Sequence, residues 1–399
     1  MLRDLILVPA LLGVVVAAPN QHRAHVTRSG SQLSLQGRPW TASGANVYWL
    51  GIDENVVPPP GSPYADPASY PTKGRIVEIM DTLVAMGAHT IRSQTLGVSV
   101  GHPLSLEPEL GVFNEEAFES IDWAVHQASL RGLRISAPLV DNYDYYHGGK
   151  FSFLRFRGIN ISSTESPVDP SVQQFYNNRE IVNDFKQYIH KLLTHTNQYN
   201  GLTYAEDPTI YAYETGNELG GPVFGDMDVP RSWTDEICSY VKEIAPRKLC
   251  VDGTYGINKT HLDIASVDVV SDHFYPLDLE KLETGIQLAS NASKAYMVGE
   301  YDWTGNIASA PSLSSFFDII ESRKEVVAGD QFWSLFMHDV PDCAKYVDHD
   351  DGFTMHYGDP RNFAQNNTQI SLVRQHFFRM QGKKVGKELP PVKCKSSYY

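Results

Sequence analysis

The sequence has little positive charge and, beyond its first residues, no long apolar run. Of its 399 residues, 33 are lysine or arginine and 47 are aspartate or glutamate, so the net charge at pH 7 is −14. A nucleic acid requires clustered basic residues that neutralise phosphates, and this balance argues against such a partner. No later stretch is apolar for the roughly 18 residues that span a bilayer, so we predict no membrane partner either.

The sequence also lacks motifs that would indicate a cofactor or a metal ion. No glycine-rich phosphate loop or dinucleotide fingerprint follows a strand-like segment, and the cysteine spacing fits no zinc site. The run Asp348-His349-Asp350-Asp351-Gly352 lacks the spacing and the closing glutamate of a calcium loop. We therefore predict no cofactor and no metal, and we expect this run to form a loop over a cleft.

The N-terminus is typical of a secretory signal peptide. Residues 1–18 combine a charged start, an apolar core and small residues at the end, so we expect a secreted, extracellular protein. Secretion favours disulfides, and the four cysteines allow three pairings. We favour Cys238–Cys250, which could join neighbouring elements across a short loop, together with Cys343–Cys394. Four sequons are compatible with glycosylation, at Asn160, Asn258, Asn291 and Asn366.

Eight apolar segments alternate with amphipathic helical patterns, which predicts a parallel (β/α)8 TIM barrel. A short hairpin-like segment at 31–40 precedes them. The predicted strands are 43–49, 88–93, 133–140, 209–217, 249–254, 267–275, 295–300 and 329–336. The predicted helices include 73–86, 115–130, 179–195, 314–327 and 369–381.

The rest of the pattern indicates one domain. We see no low-complexity linker, so residues 19–399 are predicted to form a single catalytic domain, and we expect a monomer. The stretch from Asp141 to Asn178 is interpreted as a long loop inserted after the third strand.

Charged or aromatic residues stand at the C-terminal ends of five predicted strands, where TIM barrels carry their active sites. Packing alone does not explain this placement, so we predict an active site there. The residues are Arg92 on the second strand, Asn217 and Glu218 on the fourth, His273, Phe274 and Tyr275 on the sixth, Glu300 on the seventh and Trp333 on the eighth.

The stretch YAYETGNELGG at 211–221 holds two glutamates four residues apart, Glu214 and Glu218. On a regular strand they would lie about 13 Å apart. Glycosidases need their carboxyl groups about 5–5.5 Å apart to retain anomeric configuration and about 6.5–9.5 Å apart to invert it. We therefore predict that Glu214 is a structural carboxylate deep in the barrel or near its lower layer, paired with a cation such as Arg92 or hydrogen-bonded there. Glu300 is predicted to be the partner of Glu218 across the barrel.

Taken together, these residues resemble glycoside hydrolase family 5 over roughly residues 40–340. The family's Asn-Glu, His-x-Tyr, nucleophile glutamate, arginine and tryptophan match Asn217-Glu218, His273-Phe274-Tyr275, Glu300, Arg92 and Trp333. The resemblance implies a retaining barrel with Glu218 as acid/base and Glu300 as nucleophile. It further implies that Asn217 bonds the sugar 2-hydroxyl, Tyr275 and Arg92 keep Glu300 ionised, His273 orients Glu218 or contacts substrate, and Trp333 stacks under the sugar in subsite −1.

Aromatic residues in the same loops are candidate sugar-binding positions. With 11% aromatic residues and an acidic balance, the composition suits a neutral polysaccharide. The candidates are Tyr48 and Trp49 after the first strand, Tyr143, Tyr145 and Tyr146 after the third, and Trp303 after the seventh.

The segments 44–50 and 213–218 are most similar to fungal and plant β-mannanases, which implies endo-β-1,4-mannanase activity on plant cell-wall mannan. Mannanases typically have tryptophan where this chain has Tyr213, and proline where it has Leu219. These departures keep open an exo-β-mannosidase or a β-1,4-glucanase. A non-catalytic polysaccharide-binding barrel is a further alternative, although both carboxylates are present.

The motif GVSVG at 97–101 matches the G-x-S-x-G of serine hydrolases. That motif needs a strand directly before the serine and a helix directly after it. Neither is predicted here, so we interpret the segment as a loop.

Overall fold

The chain begins, in its described part, with a small antiparallel sheet. The computed structural model describes residues 24–56, 68–161, 169–221 and 229–397. The predicted signal peptide, residues 1–18, lies outside them. The sheet comprises β1 (Val26–Ser29), β2 (Gln32–Leu35) and β3 (Arg38–Pro39), and it extends the hairpin predicted at 31–40 by one strand.

Eight parallel strands then close into a barrel, which confirms the predicted fold class. Consecutive strands pair with each other, and the last pairs with the first. The strands are β4 (Gly44–Asn46), β5 (Thr90–Arg92), β6 (Arg134–Pro138), β7 (Ile210–Glu214), β8 (Leu249–Val251), β9 (Val269–Phe274), β10 (Ala295–Tyr301) and β11 (Val327–Phe332).

The predicted barrel strands are correct in number and order, but several end earlier than predicted. The first ends at Asn46, and the fourth ends at Glu214. Asn217 and Glu218 therefore lie in the loop after β7. This loop belongs to the end of the barrel where the functional residues were expected.

Helices surround the barrel. The first predicted helix, 73–86, has the observed bounds because Thr72 caps its start and Gly87, at a left-handed φ of 80°, ends it. The helices are α1 (Lys73–Met86), α2 (Ala117–Leu130), α3 (Lys150–Phe156), α4 (Gln174–Asn177), α5 (Arg179–Thr194), α6 (Arg231–Ile244), α7 (Leu279–Asn291), α8 (Leu313–Ser322) and α9 (Ala364–Met380). Among the described residues, none of the helices combines the length and apolar character that a membrane crossing requires.

The small sheet closes the amino end of the barrel. Val26 and Leu33 of the sheet are buried in one apolar cluster with Leu249, Val269 and Ala295, which begin or lie near the start of their strands. The larger apolar cluster fills the space between strands and helices. Because the sheet covers the amino end of the barrel, the carboxyl end of the strands is the end available for the functional site.

Two segments at that opposite end have more structure than predicted. The insertion after β6 contains α3 and α4 within its described part. The chain after β11 forms short strands: β12 (Leu335–Phe336), β13 (His338–Asp339), β14 (Asp342–Tyr346) and β15 (Met355–His356).

Both favoured disulfides are present. Cys238 of α6 is bonded to Cys250 of β8, so the bridge joins a helix to the adjacent strand. Cys343 of β14 is bonded to Cys394 near the C-terminus. The second bridge ties the loop region after β11 to the last segment of the chain.

Candidate active site

Arg92, the last residue of β5, lies at the centre of the site and is 1% exposed. Its Nε donates to Glu214 at 3.0 Å and its Nη1 to Glu300 at 2.6 Å. The remaining donors reach the side-chain oxygens of Asn46, at 3.0 Å, and Asn217, at 2.8 Å. Burial alone would lower the pKa of Arg92, but Glu214 and Glu300 outweigh it and raise the pKa. Arg92 therefore carries a permanent charge that organises four neighbouring side chains.

Glu214 contacts Arg92, as predicted, and lies 2.9 Å from its Nη2. Its predicted depth is wrong, because Glu214 is the last residue of β7 and lies at the level of Arg92 rather than near the lower layer. The 13 Å estimate also assumed a regular strand through position 217, whereas residues 215–218 leave the strand. Glu214 and Glu218 take different positions because the chain turns between them, and the two carboxylates contact different partners.

The loop after β7 is held tightly against the loop after β8. The Leu219 N–H donates to the Gly253 carbonyl at 2.9 Å. A Cβ at Gly253 would lie 1.9 Å from the carbonyl oxygen of Gly216, so this close approach requires glycine. Glu218 itself has a left-handed φ of 52°. Strain of this kind in a residue other than glycine is concentrated at functional sites, and the loop fixes the direction of the Glu218 side chain.

Glu218 and Glu300 face each other, with His273 beside both. One carboxylate oxygen of each lies within 4.8 Å of the other. His273 Nδ1 lies 2.6 Å from Glu218 Oε1 and 3.6 Å from Glu300 Oε2. An oxygen–oxygen gap of at most 4.8 Å is compatible with the carboxyl separation of about 5–5.5 Å in retaining glycosidases and is shorter than the roughly 6.5–9.5 Å of inverting ones.

The groups around Glu300 have opposing effects on its pKa. Burial raises its pKa, and the charge of Glu218 adds to this, while His273, Arg92 and Tyr275 lower it. The net pKa is raised. Tyr275 donates its hydroxyl to Glu300 Oε2 at 3.0 Å. The Tyr275 hydroxyl stays a donor because burial and the charge of Glu300 raise its own pKa.

Glu218 and His273 form a proton-sharing pair. Burial would raise the pKa of Glu218, but hydrogen bonds from His273 and Tyr143 and the charge of His273 outweigh it, and the pKa is lowered. Burial would lower the pKa of His273, but Glu300 and Glu218 raise it overall. One proton is therefore favoured in the hydrogen bond between Glu218 and His273.

Two groups of described residues have donor atoms close enough for a metal ion. In the first, Glu78 and His338 lie beside Cys394, whose sulfur is already bonded to Cys343. The second is Glu218, His273 and Glu300. There the Arg92 guanidinium, 2.6 Å from Glu300, already supplies the positive charge that a metal ion would bring.

A cavity of about 450 Å³ opens above the two carboxylates. All four tyrosines predicted as loop sugar-binding positions line it, namely Tyr48, Tyr143, Tyr145 and Tyr146, and Trp333 lies in the same wall. Trp333 stacks on Tyr48 with ring centroids 5.3 Å apart. The arrangement gives the cavity an aromatic wall beside the carboxylates.

The acidic run at 348–352 lies over the cavity, as predicted. His349 and Asp351 line the cavity, and Asp351 accepts a hydrogen bond from Trp333 Nε1 at 2.6 Å. Burial alone would raise the pKa of Asp351, but hydrogen bonds from His349 and Trp333 lower it. An ionised Asp351 fixes the plane of the Trp333 indole.

Trp303 and Trp49 do not line the cavity, so their prediction as sugar-binding positions is corrected. Each is 2% exposed. Trp303 donates its Nε1 to the carbonyl of Phe353, in the loop after β11. The Arg75 guanidinium carbon lies over the Trp49 ring, 5.0 Å from the ring centroid. Both side chains turn away from the cavity and support the loops around it.

Sequence reasoning missed Asn46 and Asp141. Asn46 ends β4, but the strand was predicted to run to 49, which hid its position at a strand end. Asp141 directly follows the third predicted strand and accepts a hydrogen bond from Asn217 Nδ2 at 3.2 Å. Reading every polar residue that directly follows a predicted strand would have found Asp141 but not Asn46. Further residues of the cavity wall that were not predicted are Glu54, Gln94, His147, Tyr255 and Phe353.

We expect Glu214→Gln to lower the free energy of unfolding by about 3 kcal/mol, because removing one partner of a buried ion pair leaves charge uncompensated. Glu283→Gln, on the exposed surface of α7, is the matched control and should change it by less than about 0.5 kcal/mol. Urea denaturation measures both. Equal stability of the two variants would contradict the structural role of Glu214.

Known proteins resemble this chain along most of its length. Residues 23–277 match the family model described as GH family 5 beta-mannosidase-like. Mannan endo-1,4-beta-mannosidase 2 of Oryza sativa subsp. japonica is 32% identical over 236 residues, 58% of this chain and 47% of that protein. Mannan endo-1,4-beta-mannosidase 8 of the same organism is 26% identical over 399 residues, 87% of this chain and 97% of that protein. The match thus spans about half of the first relative and nearly all of the second.

Solved structures show the same barrel fold. The endo-1,4-beta-mannanase of Rhizomucor miehei has a TM-score of 0.70 at 20% identity, covering 90% of this chain and 100% of that one. A glycoside hydrolase family 5 mannosidase of the same organism has a TM-score of 0.67 at 18% identity, covering 91% and 99%. Because the family model also spans more than half of the chain, the chain belongs to glycoside hydrolase family 5.

Proposed function

We propose that this protein is a retaining β-glycoside hydrolase that cleaves β-1,4-mannosidic bonds within mannan-type polysaccharides. The observation that carries the proposal is the Glu218–Glu300 pair, within 4.8 Å, in a chain of this family. Relatives named mannan endo-1,4-beta-mannosidase support mannan as the substrate. The aromatic wall of the cavity supports a carbohydrate, since pyranose C–H faces pack on aromatic rings.

In the first step, Glu300 attacks the anomeric carbon and forms a glycosyl-enzyme ester. As the glycosidic bond breaks, Glu218 gives its proton to the leaving oxygen. Burial raises the pKa of Glu300, and the charge of Arg92, 2.6 Å away, opposes this effect and favours the ionised nucleophile. The proton shared between Glu218 and His273, 2.6 Å apart, is the one delivered.

In the second step, Glu218 acts as a base. It takes a proton from water, the oxygen attacks the anomeric carbon, and Glu300 leaves as carboxylate. Two displacements on opposite faces retain the anomeric configuration.

The side chains around the pair position the sugar. Asn217 uses its side-chain oxygen on Arg92 and one amide hydrogen on Asp141. We propose that the other amide hydrogen bonds the sugar 2-hydroxyl. Trp333 provides the platform for the sugar in subsite −1.

The compartment and assembly are part of the same proposal. We propose a secreted monomer whose residues 19–399 form one catalytic domain. Two disulfides support an oxidising compartment. The four sequon asparagines all lie at partly or fully exposed positions among the described residues, which is compatible with glycosylation.

Exo-β-mannosidase activity is the second candidate, because the matching family model is described as beta-mannosidase-like. It would use the same two carboxylates but release single mannose units. The difference from the endo enzyme depends on how many sugars the cavity accepts beyond the bond that is cleaved.

We expect the protein to convert linear mannan and galactomannan into a ladder of oligosaccharides, and to leave cellulose and mixed β-glucan largely intact. Product sizing distinguishes the endo enzyme from the exo enzyme, which would give mannose alone.

Glu300→Gln and Glu218→Gln should each lower kcat/KM by about 10²–10⁴-fold or more. Full activity of Glu300→Gln, or release of the inverted anomer by proton NMR, would refute the mechanism.

The acid side of the pH–rate profile should report Glu300, which must be ionised to attack. The Tyr275 hydrogen bond lowers the pKa of Glu300, so Tyr275→Phe raises it. When the solution is acidified, the variant should therefore lose activity at a higher pH than the wild type does. We expect the acid limb of its kcat/KM profile to lie about one pH unit higher. An unchanged or lower acid limb would contradict the role of Tyr275.

A further inference from the structure

Each oxygen of the Glu218 carboxylate contacts a different donor. His273 Nδ1 lies 2.6 Å from Oε1, and the Tyr143 hydroxyl donates to Oε2 at 2.7 Å. His273 also lies 3.6 Å from Glu300, so it marks the side of Glu218 that faces the nucleophile. Tyr143 contacts the other oxygen of the carboxylate.

Tyr143 is held by the same loop that holds the Glu218 segment. The carboxylate of Asp141 accepts from the Tyr143 N–H at 3.1 Å and from Asn217 Nδ2 at 3.2 Å. Asn142 donates its side-chain amide to the Gly220 carbonyl at 3.1 Å. The two segments on either side of Glu218 are thereby fixed to the start of the insertion after β6.

A buried lysine stabilises this arrangement from behind. Lys150, at the start of α3, is 1% exposed and donates its Nζ to Asn142 Oδ1 at 2.5 Å. The ring of Tyr143 also stacks on Tyr145, with centroids 5.3 Å apart and planes 22° apart. Tyr143 therefore has little freedom to leave Glu218, since its backbone and its ring are both held.

The phenol can act only as a donor to Glu218. Burial and the charge of Glu218 raise the pKa of Tyr143 above the range in which it would ionise. A hydrogen bond to the ionised form of a carboxyl group lowers the pKa of that group, and Tyr143 lowers the pKa of Glu218 in this way. A stronger acid delivers its proton more readily to a poor leaving group.

We propose that Tyr143 is a positioning residue that aims the acid/base Glu218 and sets its acid strength, so that its contribution grows with the basicity of the leaving group. This inference rests on the proposed function. A sugar hydroxyl leaves as a strongly basic alkoxide unless it is protonated. A dinitrophenolate leaves without a proton, so its departure does not depend on Tyr143.

The test compares Tyr143→Phe with the wild type on two substrates that share their glycone, mannotriose and 2,4-dinitrophenyl β-mannobioside. We expect kcat/KM to fall about tenfold or more for mannotriose, a part of the full acid/base contribution, and less than twofold for the aryl substrate. The alkaline limb of the pH profile of kcat/KM for mannotriose should move to higher pH, because the pKa of Glu218 rises when the hydrogen bond from Tyr143 is lost. Equal losses on both substrates, or an unmoved alkaline limb, would overturn the proposal.

Tyr145→Phe is the matched control. It removes a hydroxyl from the ring that stacks on Tyr143, without removing a donor to Glu218. Whatever it does to KM, the alkaline limb should stay in place. A shift as large as that of Tyr143→Phe would show that the effect comes from the stack and not from the hydrogen bond, and the proposal would fail.

A second measurement does not depend on the substrate. Carbon-13 NMR of protein labelled at the glutamate carboxyl groups follows the titration of Glu218, which is assigned by the resonance missing in Glu218→Gln. We expect a higher pKa in Tyr143→Phe than in the wild type. If mannosides prove not to be substrates, the proposed function fails, while this titration still decides the role of Tyr143. An unmoved resonance overturns it.

Discussion

A positive charge buried at the C-terminal end of the barrel strands is the constraint on which the rest of the site depends. Arg92 is withdrawn from water, so its charge must be balanced and its donors satisfied by the protein. Glu214 and Glu300 reach it from β7 and β10, and Asn46 reaches it from β4. Strand ends from different parts of the barrel must therefore lie at fixed distances. A closed sheet provides this rigidity because each strand is hydrogen-bonded on both sides.

The two carboxylates on Arg92 have the same chemistry and different surroundings. Glu214 faces Nε and Nη2 and does not line the cavity. Glu300 shares its oxygens between Arg92 and Tyr275 and does line the cavity. One carboxylate thus holds the arginine in place, and the other is presented to a substrate by the same arginine. What each carboxylate contacts, rather than its residue type, decides its role.

The loops add what the strands cannot supply. Glu218 leaves the end of β7 in a left-handed conformation, and Gly253 permits the close backbone contact behind it. On the other side, the insertion after β6 brings Tyr143 to the second oxygen of Glu218. The proposed acid/base residue is therefore held from two neighbouring loops, while Glu300 is held within a strand. This difference fits a residue that must both give and take a proton beside a nucleophile that stays in one place.

Much of this could be predicted from the sequence. The alternation of apolar strands and amphipathic helices determined the barrel, and the residues that follow its strands determined which side chains meet, because the carboxyl ends of all eight parallel strands face one end. The pairing of Glu214 with Arg92 followed from the need of a buried charge for a partner. The tertiary structure alone decided which loop aromatics face the cavity: Tyr145 is 56% exposed, whereas Trp303 is 2% exposed. It also decided where β4 and β7 end and that Tyr143 reaches Glu218. These outcomes depend on contacts between loops far apart in the chain, and local sequence patterns carry no information about such contacts.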